Sequence, residues 1–159
     1  MATFPLPFVP QLSYHSGGRR YGAPRDGGRL HAACDLIAPE GTEIFAVDNG
    51  VIAAGPYMFY HGTYALEVRH GNFTIRYCEI RGAAPGIRPG VNVIQGQVIA
   101  YVGRMLRDSM LHFEMYDGSA SGALTQRGNP PYQRRRDLID PTSYLDRWRQ
   151  NVLMSVPGF

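Results

Sequence analysis

The chain of 159 residues contains no lysine, so all 16 of its basic residues are arginines. Its 13 acidic residues leave a formal net charge of only +3. The arginines are scattered, and the longest run, Arg134–Arg136, is typical of solvated charge in a loop. Proteins that bind nucleic acid usually concentrate basic residues in one patch. We therefore expect no nucleic-acid partner.

Long apolar stretches are also missing. No apolar run reaches the roughly 18 residues that a membrane-spanning helix needs. Residues 1–7 do not contain the basic segment and the following continuous apolar run of a secretory signal peptide. We therefore expect no membrane span, and synthesis in the cytoplasm without a signal peptide.

The two cysteines are too few for a disulfide framework. Cys34 directly precedes Asp35, and Cys78 directly precedes Glu79. If the two acidic side chains face a common site, alternation along a strand turns both thiols away from it. We expect buried free thiols, and the sequence leaves open whether the two strands lie close enough for a disulfide.

Glycine and proline, in contrast, are abundant, with 19 and 12 residues. Frequent tight turns favour a mainly β domain with an antiparallel sheet, and the chain length favours a single domain over residues 1–159. Within it we expect an extended lead-in over 1–28, a β core over 29–117, a loop over 118–137 and a helix over 140–154.

Local patterns predict individual strands within the β core. Two hairpins, each built of two short strands around a turn that contains glycine, are predicted at residues 43–55 and 64–80. Further strands are predicted at 96–103 and 109–116. Along the last strand, alternation places Leu111, Phe113 and Met115 on one face. The opposite face carries Met110, His112 and Glu114.

The helix is predicted from its start signal and its apolar stripe. Asp140 is a favourable N-cap, and Pro141 suits the first helical position. Apolar side chains then recur at helical spacing, so the helix is expected to lie on the sheet. They are Tyr144, Leu145, Trp148 and Val152.

His31 and Asp35 form a pair that could bind a divalent metal. Gly27-Gly28 precede the pair and Pro39 follows it, so a long helix is excluded and a strand is favoured. Along a strand both side chains point to the same face. A metal site needs a third ligand from elsewhere, and His112 on its own is better explained by a structural role.

Five patterns occur along the chain and belong together. In chain order they are His31-x-x-x-Asp35, Gly41-Thr-x-Ile-x-Ala-x-x-x-Gly50-Val, Gly96-Gln-Val-Ile, Leu111-His112-Phe-Glu114 and Asp140-Pro-Thr-x-Tyr-Leu145. With these patterns the sequence resembles the lysostaphin/LytM-type zinc endopeptidases, from about residue 21 to 145. Those enzymes share the duplicated hybrid motif fold, a barrel-like antiparallel sheet, and cut stem or cross-bridge peptides of bacterial peptidoglycan.

The resemblance implies that His31, Asp35 and His112 bind Zn²⁺. Two imidazoles and one carboxylate leave a fourth position for water, which is the arrangement of a catalytic zinc site. Zinc lowers the pKa of water towards about 7 and polarises a carbonyl. The resemblance therefore implies hydrolysis of peptide bonds in peptidoglycan, in a groove over the sheet whose walls are the lead-in (12–28) and the loop 118–137.

Both catalytic histidines of that family are replaced in this chain. Met110 stands in place of the first histidine of the His-x-His motif, and we expect it to fill space beside the metal. Glu79 stands in place of the histidine of a Tyr-x-His segment. We expect Glu79 to act as the general base; the alternatives are a carboxylate that orients a ligand histidine, or a surface acid.

Other polar residues receive lesser roles. Glu114 is expected to be structural or to support the metal site, rather than to be a fourth ligand. Arg25, in preference to Arg29, is expected to bind a carboxylate of the substrate. The remaining histidines are expected to lie on the surface or in the core; they are His15, His61 and His70.

Three functions remain open at this point. The first is a zinc metalloendopeptidase that acts on peptidoglycan. The second is a catalytically inactive module that retains zinc and binds cell-wall peptides or a protein partner, and the third is a structural component of a phage or secretion particle. For the enzyme, we expect action in the periplasm or cell wall after delivery by a phage lysis programme or a secretion apparatus.

Overall fold

This computed structural model describes residues 2–155, with side chains up to residue 152. Within this range the chain forms an antiparallel sheet of nine strands and one long helix. The strands are β1 (Cys34–Ile37), β2 (Glu43–Phe45), β3 (Gly50–Met58), β4 (Tyr64–His70), β5 (Phe73–Ala83), β6 (Asn92–Val93), β7 (Val98–Met105), β8 (Asp108–Tyr116) and β9 (Leu138–Ile139). The helix α1 is Thr142–Ser155. The expected domain limits at residues 1 and 159 lie outside the described range.

The strand order is β1-β8-β7-β5-β4-β3-β6, with β2 paired to β7 and β9 paired to β8. Every pairing is antiparallel. Strand β8 has the most partners, since it pairs with β1, β5, β7 and β9. The mainly β prediction is confirmed, and β8 connects the first strand of the chain to the last.

The predicted second hairpin is confirmed. Strands β4 and β5 pair along their lengths, with His70 opposite Phe73 and Glu67 opposite Arg76. The two-residue connection contains Gly71, whose φ of 65° is the left-handed conformation that glycine adopts easily. A short local connection of this kind can be predicted from adjacent residues alone.

The predicted first hairpin, over residues 43–55, is wrong. Strand β2 pairs with β7, and strand β3 pairs with β4 and β6 instead. The chain between them does not fold back, because the Ala46 amide donates to the Gln97 carbonyl at 2.9 Å and the Val47 amide donates to the Tyr77 hydroxyl at 3.1 Å. Both connecting residues are fully buried. Contacts distant in sequence therefore outweigh the local turn signal.

The lead-in contributes to the core as well as to the surface. It contains two short 3-10 helices, Gly17–Arg19 and Asp26–Gly28, and its Phe4, Leu6 and Tyr14 side chains are buried in the core. Each such apolar side chain stabilises the fold by about 1.5–3 kcal/mol when buried. The lead-in is therefore held in place over the sheet.

Helix α1 begins at Thr142, two residues after the predicted start at 140, and the Asp140 side chain caps it. The Asp140 carboxylate accepts a hydrogen bond of 2.9 Å from the Thr142 amide, and the Leu145 amide donates to the Pro141 carbonyl at 3.0 Å. The predicted apolar stripe lies against the core, with Leu145 and Trp148 buried. Among the described residues, no helix is long and apolar enough to span a membrane.

Candidate metal centre

Strand pairing places Asp35 directly opposite His112, across the β1–β8 ladder. His31 was expected on the same strand as Asp35, but β1 begins only at Cys34. His31 instead lies in the extended segment before the strand, where its amide donates to the Ala23 carbonyl at 2.8 Å. This bond to the lead-in takes the place of strand pairing and positions the imidazole.

Three ligand atoms converge at this point, and we call His31, Asp35 and His112 the candidate metal centre. The Oδ1 atom of Asp35 lies 3.1 Å from Nε2 of His31 and 3.0 Å from Nδ1 of His112. The three atoms all lie within 4.8 Å of one another. Ligand atoms around a tetrahedral zinc ion are separated by about 3.3 Å, from bond lengths of about 2.0–2.1 Å. The spacing therefore fits such an ion.

Each imidazole is oriented through its second ring nitrogen. His31 donates from Nδ1 to the Arg20 carbonyl at 2.8 Å, which leaves Nε2 for a metal. His112 donates from Nε2 to Oε2 of Glu114 at 2.8 Å, which leaves Nδ1. Histidines that bind metals usually donate their other N–H to a carbonyl or a carboxylate in this way. The residues present thus fit a metal ion.

The electrostatics of the centre favour positive charge. Burial opposes ionisation of Asp35, but hydrogen bonds from His112 and His31 hold the pKa of its carboxyl at about 2. Burial likewise opposes charge on His112, yet hydrogen bonds to Asp35, Glu114 and Glu79 raise its pKa well above the usual range. Three carboxylates around one imidazole thus stabilise a cation, which a divalent metal would supply.

Glu114 is held by a buried charge cluster. Its Oε1 accepts a hydrogen bond of 3.0 Å from Nε of Arg76 and forms an ion pair with Nη2 of the same residue at 2.8 Å. Its Oε2 accepts from Nε of Arg134 at 3.1 Å and forms an ion pair with Nη2 at 3.1 Å. Tyr116 also donates its hydroxyl to Oε1. Burial opposes ionisation, but the Arg76 charge and the His112 hydrogen bond hold the pKa of Glu114 well below its usual range. The carboxylate is therefore ionised where it meets His112.

The expectation of a solvated arginine run at Arg134–Arg136 is wrong for Arg134 and Arg135, whereas Arg136 is exposed. Only 2% of Arg134 and 9% of Arg135 is exposed. Arg134 pairs with Glu114, and Nε of Arg135 donates to Oδ1 of Asp137 at 2.7 Å. Both acidic partners are buried, so each arginine is drawn inward by a carboxylate that needs a counter-charge.

Glu79 reaches the centre through a break in strand alternation. Strand β5 pairs with β8 up to Cys78 opposite His112, and pairs with β7 from Ile80 onwards. Between these partners, Glu79 adopts a positive φ of 62°. Cys78 and Glu79 therefore both lie on the side of the metal centre, and the expectation that the Cys78 thiol faces away is wrong. The two cysteines are free and buried, with no disulfide.

The Glu79 carboxylate is buried beside His112, so it is not a surface acid. Only 4% of the residue is exposed, and its Oε2 lies 3.2 Å from Nδ1 of His112. Its Oε1 has no hydrogen-bond partner among the described residues. A buried carboxylate oxygen without a partner is costly, which is often the mark of a position where substrate, water or an ion binds.

A second group of ligand-type atoms, Cys78, His112 and Glu114, also lies within 4.8 Å. It fits a metal less well. Both oxygens of Glu114 are already engaged by arginines, and burial raises the pKa of the Cys78 thiol far above its ordinary value. A metal would require the thiolate. His31, Asp35 and His112 are therefore the better set.

The candidate metal centre lines an open groove of about 570 Å³. We call it the site groove. One wall is the lead-in, as expected, with Leu12 and residues 18–29 contributing. The prediction that the loop over 118–137 forms the second wall is wrong, because Arg134 is the one residue of that loop that lines the groove. The opposite wall is the β7–β8 hairpin, residues 105–110, because β8 must lie beside β1 to bring His112 to Asp35.

Two further predicted site residues also line the site groove. Met110 is 9% exposed and precedes His112 by two positions on β8. Arg25 places Nη2 at 3.8 Å from Oδ2 of Asp35, and the same atom donates to the Gly18 carbonyl at 2.7 Å. Arg25 is thus engaged by the protein itself.

The other histidines lie away from the centre. His15 is 2.7 Å from the Asp146 carboxylate on α1, and His70 is buried 2.9 Å from the Tyr77 hydroxyl. His61 is exposed in the turn between β3 and β4. The structure does not bring any of them to His31, Asp35 or His112.

Sequence reasoning missed the arginine cluster behind Glu114. Arg76 stands two positions before Cys78, and Arg134 stands 20 positions after Glu114. No local pattern pairs these residues. The one available signal was Glu114 itself, an acid on the same strand face as His112, since a buried carboxylate requires positive partners.

Comparison with known proteins agrees with this architecture. The pattern of Peptidase family M23 matches residues 29–124. Over 89 residues the chain is 32% identical to the peptidoglycan DD-endopeptidase ShyC of Vibrio cholerae, a match that covers 54% of this chain and 20% of ShyC. The chain thus matches only about a fifth of the length of that relative.

Solved structures of similar fold include lysostaphin from Staphylococcus simulans, with a TM-score of 0.67 at 20% identity over 100% of this chain and 59% of that one. LytU has a TM-score of 0.63 at 20% identity, over 89% and 94%. These similarities confirm the predicted lysostaphin-like fold, a mostly antiparallel half-barrel with a single C-terminal helix. Because the family pattern matches more than half of the chain and contains the His31–Asp35 pair and His112, the chain belongs to peptidase family M23.

Proposed function

We propose that this protein is a zinc metalloendopeptidase that hydrolyses peptide bonds of bacterial peptidoglycan, in the periplasm or the cell wall. Family membership and the relative named as a peptidoglycan DD-endopeptidase support the reaction class and the substrate. The observation that carries the proposal is the convergence of His31, Asp35 and His112 at the site groove.

His31 and His112 would hold Zn²⁺ through Nε2 and Nδ1, and Asp35 through its carboxylate. The bound ion supplies Lewis acidity, which lowers the pKa of water and polarises a carbonyl. Glu114 holds the His112 ring in the orientation that presents Nδ1. Two neutral imidazoles and one carboxylate are a ligand set typical of catalytic zinc.

Glu79 is the proposed general base. Its unpartnered Oε1 can accept a proton from the attacking water and pass it to the nitrogen of the leaving amine, so that one proton is taken up and one is released. Its Oε2 lies beside His112, which positions the carboxylate next to the centre. Met110 has a thioether, which cannot exchange a proton, so it lines the groove without a role in proton transfer.

Arg25 remains our proposal for a residue that contacts a substrate carboxylate near the metal. Its guanidinium lies at the edge of the centre, 3.8 Å from Asp35. Because both of its Nη atoms already donate to backbone carbonyls, it has fewer N–H groups left for substrate than an unengaged arginine.

The test combines metal analysis with digestion of purified peptidoglycan. We expect about one zinc per chain, and new amino termini after digestion that disappear in Glu79→Gln and His112→Ala. Glu43→Gln is the matched control, because it makes the same change at an exposed acid outside the site groove. Activity that persists in Glu79→Gln would contradict the role of this residue.

A second function, an inactive module that retains zinc and binds cell-wall peptides, is favoured by one observation. Met110 occupies the groove position that is a histidine in the family motif, so a proton-transfer group is missing there. This module would bind zinc and sediment with peptidoglycan but release no new amino termini. That combination of results would replace the enzyme proposal.

A further inference from the structure

The site groove carries arginines on both of its walls. The lead-in contributes Arg19, Arg25 and Arg29, and the β7–β8 hairpin contributes Arg107. Three carboxylates also line the groove: Asp35 is engaged with His31 and His112, Oε2 of Glu79 lies beside His112, and Asp108 is exposed. The groove thus holds more arginines than exposed carboxylates, so its charge favours an anionic ligand.

Two of these arginines have guanidinium groups without a partner. Arg19 donates to the Ser13 carbonyl at 2.8 Å, and Arg25 donates to Gly18. In the described part of the chain, the side chains of Arg29 and Arg107 make no hydrogen bond or ion pair. Arg29 is partly buried and Arg107 is exposed. Each therefore offers its full set of N–H donors to a ligand in the groove.

We infer that the site groove selects peptides that carry free carboxylates close to the bond that is cut, and that Arg29 and Arg107 bind these carboxylates from opposite walls. The inference rests on the proposed function, and it names the substrate chemistry of that site. A guanidinium group binds a carboxylate through two parallel N–H···O hydrogen bonds. An amide is neutral and offers a single oxygen, so it cannot take the place of the carboxylate. A neutral cross-bridge peptide would give the two arginines no such partner.

Position in the groove supports this assignment. Arg29 precedes His31 by two residues, and Arg107 precedes Ser109 and Met110 at the start of β8. Both arginines line the same groove as the candidate metal centre, so a peptide bound over the centre lies in this groove beside them. Their charges act over a shared, partly enclosed space, where a charge-assisted contact is stronger than on an open surface.

The experiment measures binding, so that it does not depend on catalysis. A cross-linked muropeptide with free carboxylates and the same muropeptide with those groups converted to amides are titrated into the zinc-loaded protein carrying Glu79→Gln. We expect the amidated form to bind about tenfold more weakly, a loss of about 1.4 kcal/mol, because the arginines lose charge-assisted hydrogen bonds.

In the protein carrying Glu79→Gln, a second substitution, Arg29→Gln or Arg107→Gln, should weaken binding of the acidic muropeptide about three- to tenfold. Binding of the amidated muropeptide should not change. Arg88→Gln is the matched control, because it removes the same charge from an exposed loop outside the groove. Equal affinity for the two muropeptides overturns the inference. So does an equal loss in Arg88→Gln, since net charge would then account for the binding.

Failure of the inference and failure of the proposed function have different results. Carboxylate-dependent binding that requires Arg29 and Arg107, without cleavage by the protein that retains Glu79, supports the inference and removes the enzyme proposal. Equal cleavage of free and amidated muropeptides, with equal binding, supports the enzyme and removes the inference.

Discussion

The Nε2 atom of His112 lies 2.8 Å from Oε2 of Glu114, two residues further along strand β8. This hydrogen bond determines which nitrogen of His112 faces Asp35. Glu114 can remain ionised in a fully buried position only because Arg76 and Arg134 lie against it. Arg76 on β5 and Arg134 in the loop before β9 therefore both stabilise the candidate metal centre through Glu114.

Replacing Glu114 by glutamine should destabilise the protein strongly. Glu114→Gln leaves the buried guanidinium groups of Arg76 and Arg134 without their carboxylate, and removing one partner of a buried ion pair costs about 3–5 kcal/mol. The free energy of unfolding in urea measures the effect. Glu40→Gln, at an exposed acid, should change it by less than about 0.5 kcal/mol. A loss of similar size in both variants would contradict the role of the cluster.

Arg134→Gln should weaken zinc binding without removing a ligand. Residues that hold metal-binding side chains in place typically contribute about 10–100-fold to metal affinity. Competition with a chromophoric chelator measures zinc affinity directly. The exposed Arg127 in the same loop provides the matched control, Arg127→Gln, which should bind zinc as the unaltered protein does. Unchanged affinity in Arg134→Gln would show that His112 does not need this support.

Zinc should stabilise the protein through His31 and Asp35. A ligand present at about 100 times its Kd adds about 2.7 kcal/mol to the free energy of unfolding, so Tm should rise by several degrees when zinc is added after chelation. Asp35→Asn and His31→Ala should abolish this rise. Asp26→Asn, at an exposed aspartate, should retain it. A full zinc-dependent rise in Asp35→Asn would exclude Asp35 as a ligand.

Gly103→Ala should displace Glu79 while the proposed ligands remain. A Cβ at this position would lie 2.7 Å from the Glu79 carbonyl oxygen and 2.8 Å from the Arg81 amide, so the backbone of β5 must shift. We expect a loss of about 1–3 kcal/mol in stability and a large loss of activity, with zinc retained.

Gly82→Ala is the matched control for that variant. Gly82 lies on β5, the strand that Gly103→Ala would displace from its place on β7, and a Cβ at Gly82 meets nothing within 4 Å. Unfolding in urea, zinc content and peptidoglycan digestion should be measured on both variants. If Gly103→Ala keeps full activity, the position of the Glu79 backbone is not important for catalysis.

Several features follow from the sequence alone because their causes are local. The β4–β5 hairpin depends on two alternating strands and a short turn at Gly71, and the start of α1 depends on Asp140 and Pro141. The polar face of β8 follows from the alternation of side chains along a strand. The His31–Asp35 spacing and the family patterns sufficed to predict the zinc ligand set, which remains a proposal.

Tertiary structure alone decided the features that join distant parts of the chain. The pairing of β2 with β7, the inward position of Arg134 and the unpartnered Arg29 and Arg107 have no local signal. Residues adjacent in sequence interact in any conformation, so local patterns report them. A buried carboxylate such as Glu114, and a strand such as β5 that changes partners at Glu79, find their partners only when the whole sheet has formed, because burial makes those partners necessary.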